Sequence, residues 1–146
     1  MLKKINHFLA TGLYSGHLPY APGTWGSLLM VVLVFFFPVL NNIYLISALS
    51  IGGIAIANFE ERQTGIKDDS KIVIDEMAGQ LLTFYTLNLN IPVLIGGFVL
   101  FRLFDITKPW IIDKVQDLPS GWGVMLDDIL AGLFSLAILK IIIRYI

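Results

Sequence analysis

Three groups of ionisable residues stand out by type and spacing. Asp75 and Glu76 are adjacent, Arg102, Asp105 and Lys108 recur at intervals of three, and Asp127 and Asp128 are adjacent. Each group lies at or inside the edge of an apolar run. An ionised carboxylate near the middle of a spanning helix costs roughly 2.5 to 3.5 kcal/mol, so five unpaired ones would cost about 12 to 18 kcal/mol. Arg102 and Lys108 supply only two opposing charges. A divalent cation would remove the deficit, and a site made of carboxylate oxygens suits Mg²⁺ or Mn²⁺ better than zinc. Arginine offers a planar fork to phosphate oxygens and lysine a point charge, so the set fits phosphoryl chemistry on a phosphate ester.

Each group also has a plainer reading. Asp127 and Asp128 follow Gly121-Trp122-Gly123, which reads as a flexible turn, so either carboxylate could cap the last helix. Asp75 and Glu76 could be a solvated helix start. Arg102 and Asp105 share a helix face, and Lys108, before Pro109, falls near that helix's end. The glycine- and proline-rich residues 11–27 read either as an irregular loop or as a backbone cradle for phosphate. In the second case Thr24 or Ser27 adds a hydroxyl. His7 and His17, the only histidines, receive no role.

The elements that must position these residues are apolar. Of the 146 residues, 56% are hydrophobic and only 14% charged, and the mean hydropathy is +0.78. That excess points to a bilayer as solvent. Apolar runs cover residues 28–40, 43–57, 91–101 and 129–143, each shorter than the roughly 20 residues of a clean span. Asn41 and Asn42 between the first two suggest a helical hairpin whose outer ends return to one side. Lys3, Lys4, Lys67, Lys71, Lys108, Lys114 and Arg144 would then lie mostly on the cytoplasmic side. Run length favours an all-helical single domain over residues 1–146. A net charge of -1 argues against nucleic acid, and the absence of cysteine excludes disulfides and thiolate chemistry. The start of the chain does not read as a cleaved signal.

Four stretches in order and spacing resemble the phosphatidylglycerophosphatase A family. They are Pro22-Gly23-Thr24-Trp25-Gly26-Ser27, Ile72-Val73-Ile74-Asp75-Glu76 with Gly79-Gln80, Phe101-Arg102-Leu103-Phe104-Asp105-Ile106-Thr107-Lys108-Pro109-Trp110, and Gly121 through Asp128. The resemblance implies a compact all-α bundle, a central helix surrounded by others, with partly lipid-exposed helices. It implies Mg²⁺-dependent hydrolysis of phosphatidylglycerophosphate to phosphatidylglycerol and phosphate, on the cytoplasmic side of a bacterial inner membrane. The family's acidic positions map onto Asp75, Glu76, Asp105, Asp127 and Asp128, with Asp68 a weaker metal candidate. Catalysis would rest on Asp75, Glu76, Asp105, Arg102 and Lys108, and phosphate binding on Arg102, Lys108, Thr24 and Ser27. Direct attack by water, with Asp75 or Glu76 as base, and a phospho-aspartyl route both stay open. A Mg²⁺-dependent phosphoalcohol transferase and a non-enzymatic membrane protein are the competing readings.

Overall fold

The computed structural model describes residues 1–67, 69–115, 118 and 121–145. Among them the fold is all-helical: α1 (Leu2–Ala10), α2 (Pro22–Phe36), α3 (Ile43–Thr64), α4 (Ile74–Thr83), α5 (Ile91–Thr107), α6 (Ile111–Val115) and α7 (Gly121–Tyr145). Short 3-10 turns occupy Ser15–His17 and Pro38–Leu40. Local chemistry sets several boundaries. Asn42 and Asn90 accept the backbone N–H of Leu45 and Val93, capping α3 and α5. Gly65 ends α3 in the left-handed conformation, φ 71°.

The expected central helix is α4. It packs against α2, α3, α5 and α7, and every residue of it except Glu76 is buried. Met77, Leu81 and Leu82 of α4 join Met30, Val34, Ile46, Phe84 and Leu94 in the main apolar cluster. Large apolar side chains remain exposed on the outside, among them Phe36, Val39, Tyr44, Ile51 and Ile95. Among the described residues α3 alone is long and apolar enough to cross a membrane by length and composition.

Two expectations need correction. The α2–α3 connection does return both outer ends to one side, since Gly23 and Glu61 line one cavity. It is not a closed hairpin, however: both helices pack on α4, which takes the apolar faces they would otherwise offer each other. The second concerns Arg144. Asp127 and Arg144, 17 positions apart, lie in one continuous helix, a separation of about 25 Å at 1.5 Å per residue. Arg144 therefore sits far from the carboxylate end and does not share a side with Lys108.

Candidate functional site

Backbone proximity creates the site. A Cβ added at Gly79 would lie 2.4 Å from the carbonyl oxygen of Asp128, and one at Gly132 would lie 2.4 Å from the carbonyl oxygen of Gly79. Only glycine permits α4 and α7 to cross this closely. One turn before each glycine stand Asp75 and Asp128, so the crossing sets these carboxylates against each other. Asp75 and Glu76 occupy the first turn of α4, where the helix dipole favours negative charge.

The five carboxylates expected from sequence divide into two kinds. Asp105 accepts a hydrogen bond from Arg102 Nη1, three residues earlier on α5. Asp127 accepts from Lys108 Nζ at 2.6 Å. The remaining three, Asp75, Glu76 and Asp128, offer ligand oxygens within 4.8 Å of one another. Asp75 and Asp128 are each only 3% exposed. Buried oxygens of all three, Asp75 Oδ1, Glu76 Oε2 and Asp128 Oδ1, have no hydrogen-bond donor, and neither does Asp127 Oδ1. Buried acceptors without donors are costly. Oxygen donors of this number and kind fit a hard divalent cation.

Burial raises the carboxyls of Asp75, Glu76 and Asp128 above the ordinary range, because the ionised forms lose hydration. Neighbouring carboxylates raise Glu76 and Asp128 further. Asp127 is lifted to about 6 by the same loss of water, against the opposing pull of Lys108.

A cavity of about 300 Å³ opens on this cluster, lined by Pro22, Gly23, Asp69, Asp75, Glu76 and Arg102 among others. The first turn of α2 closes one wall: a Cβ at Gly23 would fall 2.2 Å from Glu76 Oε1 and 3.2 Å from Arg102 Nη1. Ser27 is fully buried, donates to Gly23 O at 2.8 Å and accepts from Arg102 Nη1 at 3.5 Å. It therefore supports the arginine from beneath. Thr24 is half-buried on the same helix and is not among the described lining residues. Lys108 caps α5 in the left-handed region, φ 42°, and is turned to Asp127. Asp68 lies outside the described residues.

The capping reading of Asp127 and Asp128 is overturned. Gly121-Trp122-Gly123 forms the first turn of α7, and the two aspartates lie in its body, buried at 2% and 3%. Asn58 Oδ1 of α3 instead accepts the Gly121 N–H at 2.8 Å. Nor do Asp75 and Glu76 form a solvated helix start; Asp75 is buried and Glu76 half-buried at the start of a buried helix. Sequence reasoning gave Gln80 no role. Its side chain is fully buried one turn below Glu76, and neither amide atom has a partner. Only its place beside Gly79 in the fourfold pattern hinted at it.

A helical bundle that gathers buried carboxylates and an arginine around one small cavity has the make-up of a phosphate-ester enzyme. The family model for phosphatidylglycerophosphatase A matches residues 8–143, and the chain belongs to that family, a family of phosphatases. A Bacteroides thetaiotaomicron protein, provisionally named a phosphatidylinositol-3-phosphatase, is 36% identical, covering 91% of this chain and 90% of its own. Phosphatidylglycerophosphatase A of Escherichia coli K12 is 36% identical over 93% of this chain and 82% of its own. That of Haemophilus influenzae is 33% identical over 94% and 91%. No solved structure gives a significant match. Membership of a phosphatase family favours hydrolysis over the transferase and non-enzymatic readings.

Proposed function

We propose that this protein hydrolyses phosphatidylglycerophosphate to phosphatidylglycerol and phosphate with Mg²⁺ as cofactor, at the cytoplasmic side of a bacterial inner membrane. One observation carries the reading: Asp75, Glu76 and Asp128 converge within 4.8 Å beside Arg102, with buried oxygens that no protein donor satisfies. These three would hold Mg²⁺, which when bound offsets their charge and polarises the phosphoryl group. Asp105 and Asp127, already paired, hold the cations that frame the site.

The chain's own residues then have distinct tasks. Arg102 faces the cavity, is oriented by Asp105 and Ser27, and meets the phosphate oxygens. Lys108 adds positive charge at the end of α5. Asp75 or Glu76, through an oxygen not engaged by the ion, accepts the proton of the attacking water. The phosphorus–oxygen bond to glycerol breaks as water's oxygen bonds to phosphorus. The departing alkoxide takes a proton from solvent. A phospho-aspartyl route remains the competing sequence of steps.

A membrane setting accords with the exposed apolar surface of α2 and α3. These helices would lie in lipid, with the carboxylate cluster outside the hydrocarbon. The Bacteroides relative motivates a second substrate, phosphatidylinositol 3-phosphate, another lipid phosphomonoester. The test is phosphate release from each lipid by detergent-purified protein, with Mg²⁺ and with EDTA, for wild type and a folded Asp128→Asn variant. Mg²⁺-dependent release from phosphatidylglycerophosphate that collapses in the variant supports the reading. Release only from the inositol lipid replaces the substrate, and no release from either removes the function.

A further inference from the structure

A second group of ionisable side chains is built on the far face of α3, around Glu60. Its carboxylate is 3% exposed, accepts from Asn6 Nδ2 at 2.8 Å and Gln63 Nε2 at 3.4 Å, and lies 2.6 Å from His7 Nδ1. An acceptor-only carboxylate at that distance places the imidazole proton on Nδ1. The Nε2 of His7 then presents its lone pair outward. It faces Nε2 of His17 at 2.9 Å. The Tyr14 ring packs against both imidazoles, with centroid separations of 5.9 and 5.7 Å.

This is the arrangement that orients a metal-ligating histidine: one ring nitrogen is held by a carboxylate, and the other is directed at the ion. Two imidazole nitrogens bound to one tetrahedral ion at about 2.0 to 2.1 Å stand roughly 3.3 Å apart. The observed gap is only a few tenths of an ångström smaller. His17 is exposed on the 3-10 turn Ser15–His17, so it has room to make that adjustment. An adjoining cavity of about 360 Å³, lined by Lys3, Lys4, His7 and Tyr14 among others, leaves space for water or an anion as further ligands.

We propose that His7 and His17, with Glu60 orienting His7, form a binding site for a borderline transition-metal ion of the Zn²⁺ type. Donor chemistry separates it from the carboxylate cluster, since imidazole selects zinc, nickel or copper and carboxylate selects magnesium. The site stands whatever lipid the enzyme hydrolyses. Without a metal, the same geometry is a hydrogen bond from His17 to His7 and nothing more.

The test uses the full-length protein in detergent with Mg²⁺ in excess. Zn²⁺ is titrated in competition with a chromophoric chelator, and pulsed EPR of the protein with Cu²⁺ counts the coordinated imidazoles. The expected result is one Zn²⁺ per chain and two imidazoles on Cu²⁺. His17→Ala, a surface change, should weaken Zn²⁺ binding at least tenfold and leave one imidazole. Glu60→Gln should weaken it about 10- to 100-fold. Asp128→Asn should leave both readouts unchanged. Equal Zn²⁺ affinity in wild type and His17→Ala, or a single imidazole in wild type, overturns the site.

Discussion

The close α4–α7 crossing gives a demanding test of how the site is assembled. In Gly132→Ala the new methyl would sit 2.4 Å from the carbonyl oxygen of Gly79, where ordinary contact begins near 3.4 Å. The obstacle is backbone, which cannot swing aside as a side-chain tip can. α4 and α7 must therefore part by about 1 Å, a kind of overpacking that typically costs about 1 to 3 kcal/mol. Asp128 lies one turn before Gly132 and Asp75 one turn before Gly79, so the same displacement opens the carboxylate cluster. A misplacement of about 1 Å in a reacting constellation can cost on the order of 10²-fold in rate. The assay is phosphate release against Mg²⁺ concentration, with thermal unfolding alongside. The expected result is a fall in kcat of that order, a higher Mg²⁺ requirement and a Tm lowered by several degrees. Gly52→Ala is the control, because nothing lies within 4 Å of its added methyl. It should keep full activity. If Gly132→Ala retains activity and Mg²⁺ response within about threefold, the crossing does not set the site and the argument fails.

Gly23→Ala should lower kcat with little change in Tm, since its methyl displaces the carboxylate tip of Glu76 and not the backbone. Unfolding and steady-state rates measured together decide this. Lys108→Ala leaves Asp127 buried at 2% without its partner and should destabilise the fold by about 1 to 3 kcal/mol, discounted because Lys108 is itself 27% exposed; chemical denaturation is the measure, and an unchanged midpoint would contradict it. Asp127 has a folded pKa raised from 3.8 to about 6, so between those values the folded state binds more protons than the unfolded one. Its contribution to stability in EDTA should therefore fall as pH rises through that window, and Mg²⁺ should restore stability above it. Gln80→Leu removes a buried amide with no partners and should leave Tm equal or higher; a lowered Tm in thermal unfolding would contradict this.

The parts of the site legible in the sequence were those fixed by local geometry. Arg102 and Asp105, three apart, meet because one helix face carries both. Lys108 sits at the end of α5 because the following proline disfavours continued helix. What could not be read locally was set by tertiary contact. The glycines around Trp122 resemble a turn, yet α7 begins at Gly121, where Asn58, 63 residues earlier, accepts the first amide. That remote cap places Asp127 and Asp128 inside the helix, so they are unavailable as caps. The division of five carboxylates into two ion pairs and one convergent trio also depends on how four helices meet. Charge counting from sequence gave the surplus of three but not its membership. His7 and His17 were opaque for the same reason, since the His7 ring that meets His17 is held by a buried carboxylate on α3.

Helix direction lowers part of the cost of this surplus. α2, α4 and α7 all begin at the site, while α5 ends there. Asp75 and Glu76 lie in the first turn of α4 and Lys108 caps α5, while Asp127 and Asp128 lie about two turns into α7 and Arg102 more than a turn before the end of α5. The dipoles of α4 and α5 thus favour Asp75, Glu76 and Lys108 by about 0.3 to 1 kcal/mol apiece, an effect that fades beyond the terminal turn and does little for Asp127, Asp128 or Arg102. That gain is too small to offset three buried carboxylates, so it lowers the cost of the cluster without satisfying it. The unsatisfied remainder is what would give a divalent cation its affinity. A bundle with α5 reversed would place Arg102 and Lys108 at the far end, and the acidic trio would then face phosphate with no opposing charge.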